Sequence, residues 1–87
     1  MPSVTVLYFA AAYTATGLQS ESIEVPDGGL QLSSLSAELV RRHPNTSLED
    51  ILATSQWSVN VEMVDDPSRV VLRGGEEVAV ICPVSGG

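Results

Sequence analysis

Gly86 and Gly87 close the 87-residue sequence and leave a carboxylate on the last residue. Glycine has no Cβ, so this pair can enter a channel too narrow for side chains. The four steps from Pro83 to Gly87 reach about 13 Å when extended. Pro83 fixes its own φ and biases Cys82 toward extended geometry, which aims the tail. The expected chemistry is delivery of the Gly87 carboxylate into the active site of another protein, with Gly86 providing clearance. A diglycine alone is a weak motif. A frayed end carrying no message is the competing explanation.

Other reactive side chains are sparse. Cys82 is the only cysteine, so no intrachain disulfide can form, and a reducing cytosol suits it. A thiol so near the tail could form a mixed disulfide with another protein, but a small half-buried residue explains it better. His43 is the only histidine and precedes Pro44 at a helix end. It completes neither a catalytic pair nor a metal site, so a surface or capping role is expected. Asp65-Asp66 reads as a turn without a ligand set, and no metal is expected. Trp57 reads as packing, Glu76-Glu77 as a solvated turn, and Arg73 as an unassigned surface cation.

The net charge is -7, from 11 acids against four arginines and no lysine. Phosphate-rich partners want basic residues, so nucleic acid and anionic membranes are not expected. A basic protein partner suits the charge, although solubility alone accounts for much of it. Without lysine, an activated C-terminus cannot form an isopeptide bond with its own chain or an identical one. Hydrophobic residues make up 44%, which supports a folded core. No apolar stretch approaches the ~18 residues of a membrane span, and the N-terminus lacks a secretion-signal pattern.

The elements that must position the tail follow from periodicity. Ser3 to Phe9 reads as a strand, with Val4, Val6 and Tyr8 on one face and Thr5, Leu7 and Phe9 on the other. Ala10 to Gly17 reads as a small, polar connection. Gln19 to Val25 is a second strand, broken by Pro26-Asp27-Gly28-Gly29. Leu32 to Arg42 is the one clear helix, with Leu32, Leu35 and Leu39 as its apolar stripe. Arg41 and Arg42 suit its C-terminal dipole. Ser47 to Ser55 suggests a short helical turn capped by Ser47. Trp57 to Val64 reads as one strand, Val70 to Leu72 as a short one, and Val78 to Ile81 as the last.

One helix and four or five strands predict an α+β fold, a mixed sheet with the helix laid across it. The first and last strands are the most apolar and should be central. Residues 1–87 form one expected domain, with a tail over 83–87. The face away from the helix would show Leu7, Phe9, Met63, Ala79 and Ile81, a candidate apolar patch for a partner.

Several segments together resemble the family of small, sulfur-carrying subunits of molybdopterin synthase, the eukaryotic form most closely. They are Val6-Leu7-Tyr8-Phe9-Ala10, Thr16-Gly17, Val59-Asn60-Val61-Glu62 and the last thirteen residues, Gly75 to Gly87. The sequence departs from the family at Glu76, where Asp is usual, and at Cys82, where Pro is usual. It also departs at Ala10 to Ala15, where an acidic and a basic residue often follow the first strand.

The resemblance implies a β-grasp, ubiquitin-like fold and a non-catalytic role as sulfur donor. An E1-like enzyme would use ATP to adenylate Gly87, and persulfide sulfur would then convert it to a thiocarboxylate. The large catalytic subunit, two copies with two carriers, would use that sulfur on cyclic pyranopterin monophosphate to form the molybdopterin dithiolene. The implied contacts are Phe9, Met63, Ile81, Pro83, Val84 and Ser85. No permanently bound cofactor is implied. Carriers for thiamine synthesis or tRNA thiolation, a protein-conjugating modifier and a plain β-grasp interaction module are the alternatives.

Overall fold

The computed structural model describes residues 2–82. Seven strands and three α-helices follow one another among the described residues: β1 (Ser3–Tyr8), α1 (Ala11–Thr16), β2 (Ser20–Glu24), β3 (Leu30–Gln31), α2 (Leu32–Arg42), α3 (Leu48–Thr54), β4 (Gln56–Val59), β5 (Glu62–Val64), β6 (Val71–Leu72) and β7 (Glu77–Ile81). A 3₁₀ turn spans Pro67–Arg69.

Five strands form one mixed sheet in the order β2-β1-β7-β4-β5, and β3 pairs with β6 separately. The central pair, β1 and β7, is parallel, with Val6 opposite Val78 and Tyr8 opposite Val80. Parallel neighbours need a long crossover, and α2 lies within the one used here. The predicted α+β, β-grasp arrangement is therefore present, with five strands in the main sheet.

Alternation explains which face is covered. Val4, Val6 and Tyr8 are buried with Ile23, Val78, Val80 and Trp57 on the helix side of the sheet. Leu32, Leu35 and Leu39 of α2 and Leu48 and Leu52 of α3 complete this core. Each fully buried aliphatic side chain contributes about 1.5–3 kcal/mol. The helix runs over the predicted residues, with Arg41 and Arg42 in its last turn.

Three local expectations are corrected. Trp57 to Val64 is a hairpin rather than one strand: Val59 pairs with Glu62 across the turn Asn60-Val61. Both turn residues have positive φ, 50° and 73°, the pattern of a type I′ turn, whose twist matches antiparallel strands. Val61 therefore sits at the turn instead of within a strand and is 88% exposed. Second, Ala10 to Gly17 contains a helix. It lacks charged residues at either end and stops at Gly17, which adopts the left-handed conformation and returns its N–H to Tyr13 O. Third, Ser47 stands at the start of α3 but makes no side-chain cap bond.

Candidate functional site

Strand pairing assembles one row across the uncovered face of the sheet. Leu7 pairs with Ala79, Ala79 with Ser58, and Ser58 with Met63. Directly paired residues project to the same side, so Leu7, Ala79 and Met63 share this face. Ile81 lies two residues beyond Ala79 on β7, again on this side. Phe9 follows the last residue of β1 and stands 49% exposed, while Met63 is 54% exposed. Ala79 and Ser58 are small and covered by their neighbours. The predicted contacts Phe9, Met63 and Ile81 thus flank one apolar surface. Pro83, Val84, Ser85, Gly86 and Gly87 lie outside the described residues.

Because β1 and β7 are parallel, their C-terminal ends meet at one edge of the molecule. There the Cys82 thiol donates to Phe9 O across 3.4 Å. The same carbonyl accepts from the N–H of Ala12 at 3.0 Å and from that of Tyr13 at 3.5 Å. The root of the tail is therefore tied to the turn that opens α1. Ala10, within that turn, takes φ 51° and ψ -122°. Such a conformation costs a non-glycine residue of order 1–3 kcal/mol and persists only where the surroundings over-determine it. Cys82 is half-buried against the core, as expected.

A polar cluster lies where β1, β2 and the end of α2 meet. Glu21 Oε1 accepts from the Tyr8 hydroxyl at 2.7 Å, and His43 Nε2 lies 2.8 Å from the same oxygen. The Tyr8 and His43 rings meet edge to face, 6.1 Å apart. Arg42 stands 3.9 Å from Glu21 Oε2. Burial pushes the Glu21 carboxyl up, but the hydrogen bonds from His43 and Tyr8 and the nearby cations outweigh it and hold it below the usual carboxylate range. Burial, then the Glu21 hydrogen bond and charge, push the Tyr8 phenol far above its ordinary value. His43 is thus a half-buried tie between elements, more than the surface or capping residue expected.

Glu76 is a second tie. Its carboxylate accepts the backbone N–H of Arg73 at 2.9 Å and of Gly74 at 2.7 Å, shaping the turn that starts β7. Glu76 is thus more than the solvated turn residue expected, and a Gly-Gly pair followed by an acid is the sequence signal for such a tie. Asp66 likewise accepts from the Ser68 N–H and hydroxyl. Among the described residues, no group of three His, Cys, Asp or Glu side chains could hold a metal ion. None of the described helices is long and apolar enough to cross a membrane.

Comparison with known proteins agrees with this geometry. Residues 6–87 match the ThiS family. The molybdopterin synthase sulfur carrier subunit of Mycosarcoma maydis is 42% identical, over 99% of this chain and 95% of its own length. A Pyrococcus furiosus protein described as molybdopterin converting factor, subunit 1, superposes with a TM-score of 0.80 at 27% identity, over 97% of this chain and all of its own. A structure of the complex of subunits 1 and 2 of the Helicobacter pylori molybdopterin-converting factor contains a chain of the same fold. That chain has a TM-score of 0.67 and 22% identity, covering 98% of this chain and 99% of its own. On these matches the chain belongs to the ThiS family and, within it, to the molybdopterin synthase sulfur carrier subunits.

Proposed function

We propose that this chain carries sulfur on Gly87 for molybdenum cofactor biosynthesis. The observation that carries the reading is the near full-length match to a sulfur carrier subunit. The apolar row ending beside Cys82 supports it, since a protein drawing in the tail must come down on that edge. In this proposal an E1-like enzyme spends ATP to adenylate the Gly87 carboxylate. AMP is a good leaving group where carboxylate oxygen is not; the outer sulfur of a persulfide displaces it to give an acyl disulfide, and attack of a thiol on the inner sulfur releases the Gly87 thiocarboxylate and leaves a disulfide on the donor side. The large subunit then receives the thiocarboxylate tail and passes its sulfur to the cyclic pterin precursor. Two carriers and two large subunits make up the proposed synthase.

The chain itself supplies no acid or base to the reaction. Gly87 is the attachment point and Gly86 the clearance. Pro83, Val84 and Ser85 bind along the partner's channel, while Phe9, Met63 and Ile81 dock the sheet. ATP is consumed by the activating enzyme, and no cofactor stays bound to this chain. The cytosol is the proposed location.

Intact mass spectrometry tests the reading. Incubation with the activating enzyme, ATP and a sulfur donor should add about 16 Da, as sulfur replaces one oxygen at Gly87. Deleting Gly87 should abolish the gain. An unchanged mass with a competent cognate enzyme would refute the proposal.

A further inference from the structure

A groove of about 620 Å³ lies along β5 and the Asp65–Val70 segment that follows it. Among the described residues β5 is an edge strand, paired with β4 on one side only. Val59 and Glu62 close the hairpin turn as a hydrogen-bonded pair, so the next pair, Ser58 and Met63, is a non-hydrogen-bonded one. The N–H and C=O of Met63 therefore point away from β4 into the open edge, and no turn or loop bond among the described residues takes them up. Val64 and Val70 line the groove and pack partly against the core. Glu62 and Asp65 also line it, exposed, and enter no ion pair among the described residues. Asp66 pairs with Arg69 at 3.6 Å.

We propose that this edge is a docking site for an extended, basic segment of another protein, which adds a strand beside β5. The proposal goes beyond the sulfur-carrier reading and does not depend on it.

Backbone geometry sets the shape of the occupant. Unpaired N–H and C=O groups at a sheet edge are a template for another extended chain. A strand laid along β5 meets both free groups of Met63 at once, one as acceptor and one as donor. A helix has already spent such groups within itself. Side chains of the added strand alternate between the two sides of the sheet. Val64 pairs with the buried Trp57, so it projects to the core side. An apolar side chain of the added strand that falls on this side meets Val64 and Val70.

Charge sets the chemistry of the occupant. Natural edges are often guarded by lysine or proline, and β5 has neither. Its two uncompensated carboxylates attract a cationic segment and repel an acidic one. They also disfavour a second copy of this chain. Pairing β5 with its own likeness would crowd Glu62 and Asp65 of both chains together, in a protein of net charge -7. Lysine or arginine on the added strand, beside an apolar residue, answers both features of the groove.

NMR titration of the isotope-labelled protein with a short, end-capped peptide of alternating lysine and valine tests the assignment. Saturable amide shifts should centre on Met63 and its neighbours in β5. Raising NaCl from about 20 mM to about 200 mM should weaken binding about threefold or more. The same peptide N-methylated at each amide keeps its charge but loses its strand donors, and should bind about tenfold more weakly. Glutamate in place of lysine should abolish binding. The double substitution Glu62→Gln, Asp65→Asn, with thermal melts confirming the fold, should weaken the lysine peptide about fivefold. Equal affinity of the N-methylated peptide overturns strand addition. Shifts that are absent, or that spread over acidic surface away from β5, overturn the site. Shifts at Met63 that grow with protein concentration in the absence of peptide would give the edge to a second copy and overturn the proposal as well.

Discussion

Replacing Val61 with glycine should stabilise the protein, although it removes an apolar residue. Val61 is the second residue of the β4–β5 turn, at φ 73°. A β-branched side chain in left-handed geometry is a genuine outlier, and the Cβ clash costs about 1–2 kcal/mol. Being 88% exposed, the valine recovers almost nothing through burial. Glycine removes the clash but enlarges the unfolded ensemble by about 0.4–1 kcal/mol. The net gain is about 0.5–1 kcal/mol. With an unfolding entropy of roughly 2.1 cal/mol/K per residue, this raises Tm by about 3–5 °C. Circular dichroism melts of the two proteins provide the assay. Val61→Asn, which tolerates the same geometry, should recover part of the gain. Asn60 must stay, because its N–H donates to Glu77 O at 2.8 Å and its Oδ1 accepts from the Glu77 N–H at 3.0 Å. A fall in Tm for Val61→Gly would refute the strain argument and mean that Val61 makes contacts worth more than its backbone costs.

Two further substitutions probe the ties that hold the site in place. Gly74→Ala should destabilise by about 2 kcal/mol or more, since its Cβ would meet the Pro2 Cβ at 2.6 Å with φ at 123°; urea titration reads this as a lower midpoint. Glu21→Gln should flatten the acid limb of the stability profile. The Glu21 carboxyl is held low in the folded state. Its contribution is therefore complete above the unfolded value of about 4.3 and disappears as pH falls through the lower folded value. Urea titrations from pH 7 to pH 3 should show the variant less stable than wild type at neutral pH and converging with it in acid.

Much of the positioning was legible because it depends on neighbours in sequence. Alternation in Ser3 to Tyr8 and the leucine stripe of α2 mark their own buried faces, and the two most apolar strands are central as expected. The β4–β5 hairpin was hidden because its turn is Asn60-Val61, without the glycine that usually announces a type I′ turn. Helix α1 was hidden for a related reason. It has six residues, no charge pattern and no capping side chain, and only Gly17 marks its end.

By itself, the sequence determined the Gly86-Gly87 pair, the acidic and lysine-free character, the main helix and the two apolar strands that lie at the centre of the sheet. Those are properties of composition and short-range period. Tertiary structure decided what those residues meet. Parallel pairing of β1 with β7 brings Cys82 beside Phe9, 73 residues apart, and the hairpin brings Met63 into line with Leu7 and Ala79. Glu21 gathers Tyr8 and His43 from distant positions. Such contacts depend on register and crossover, which local periodicity does not encode.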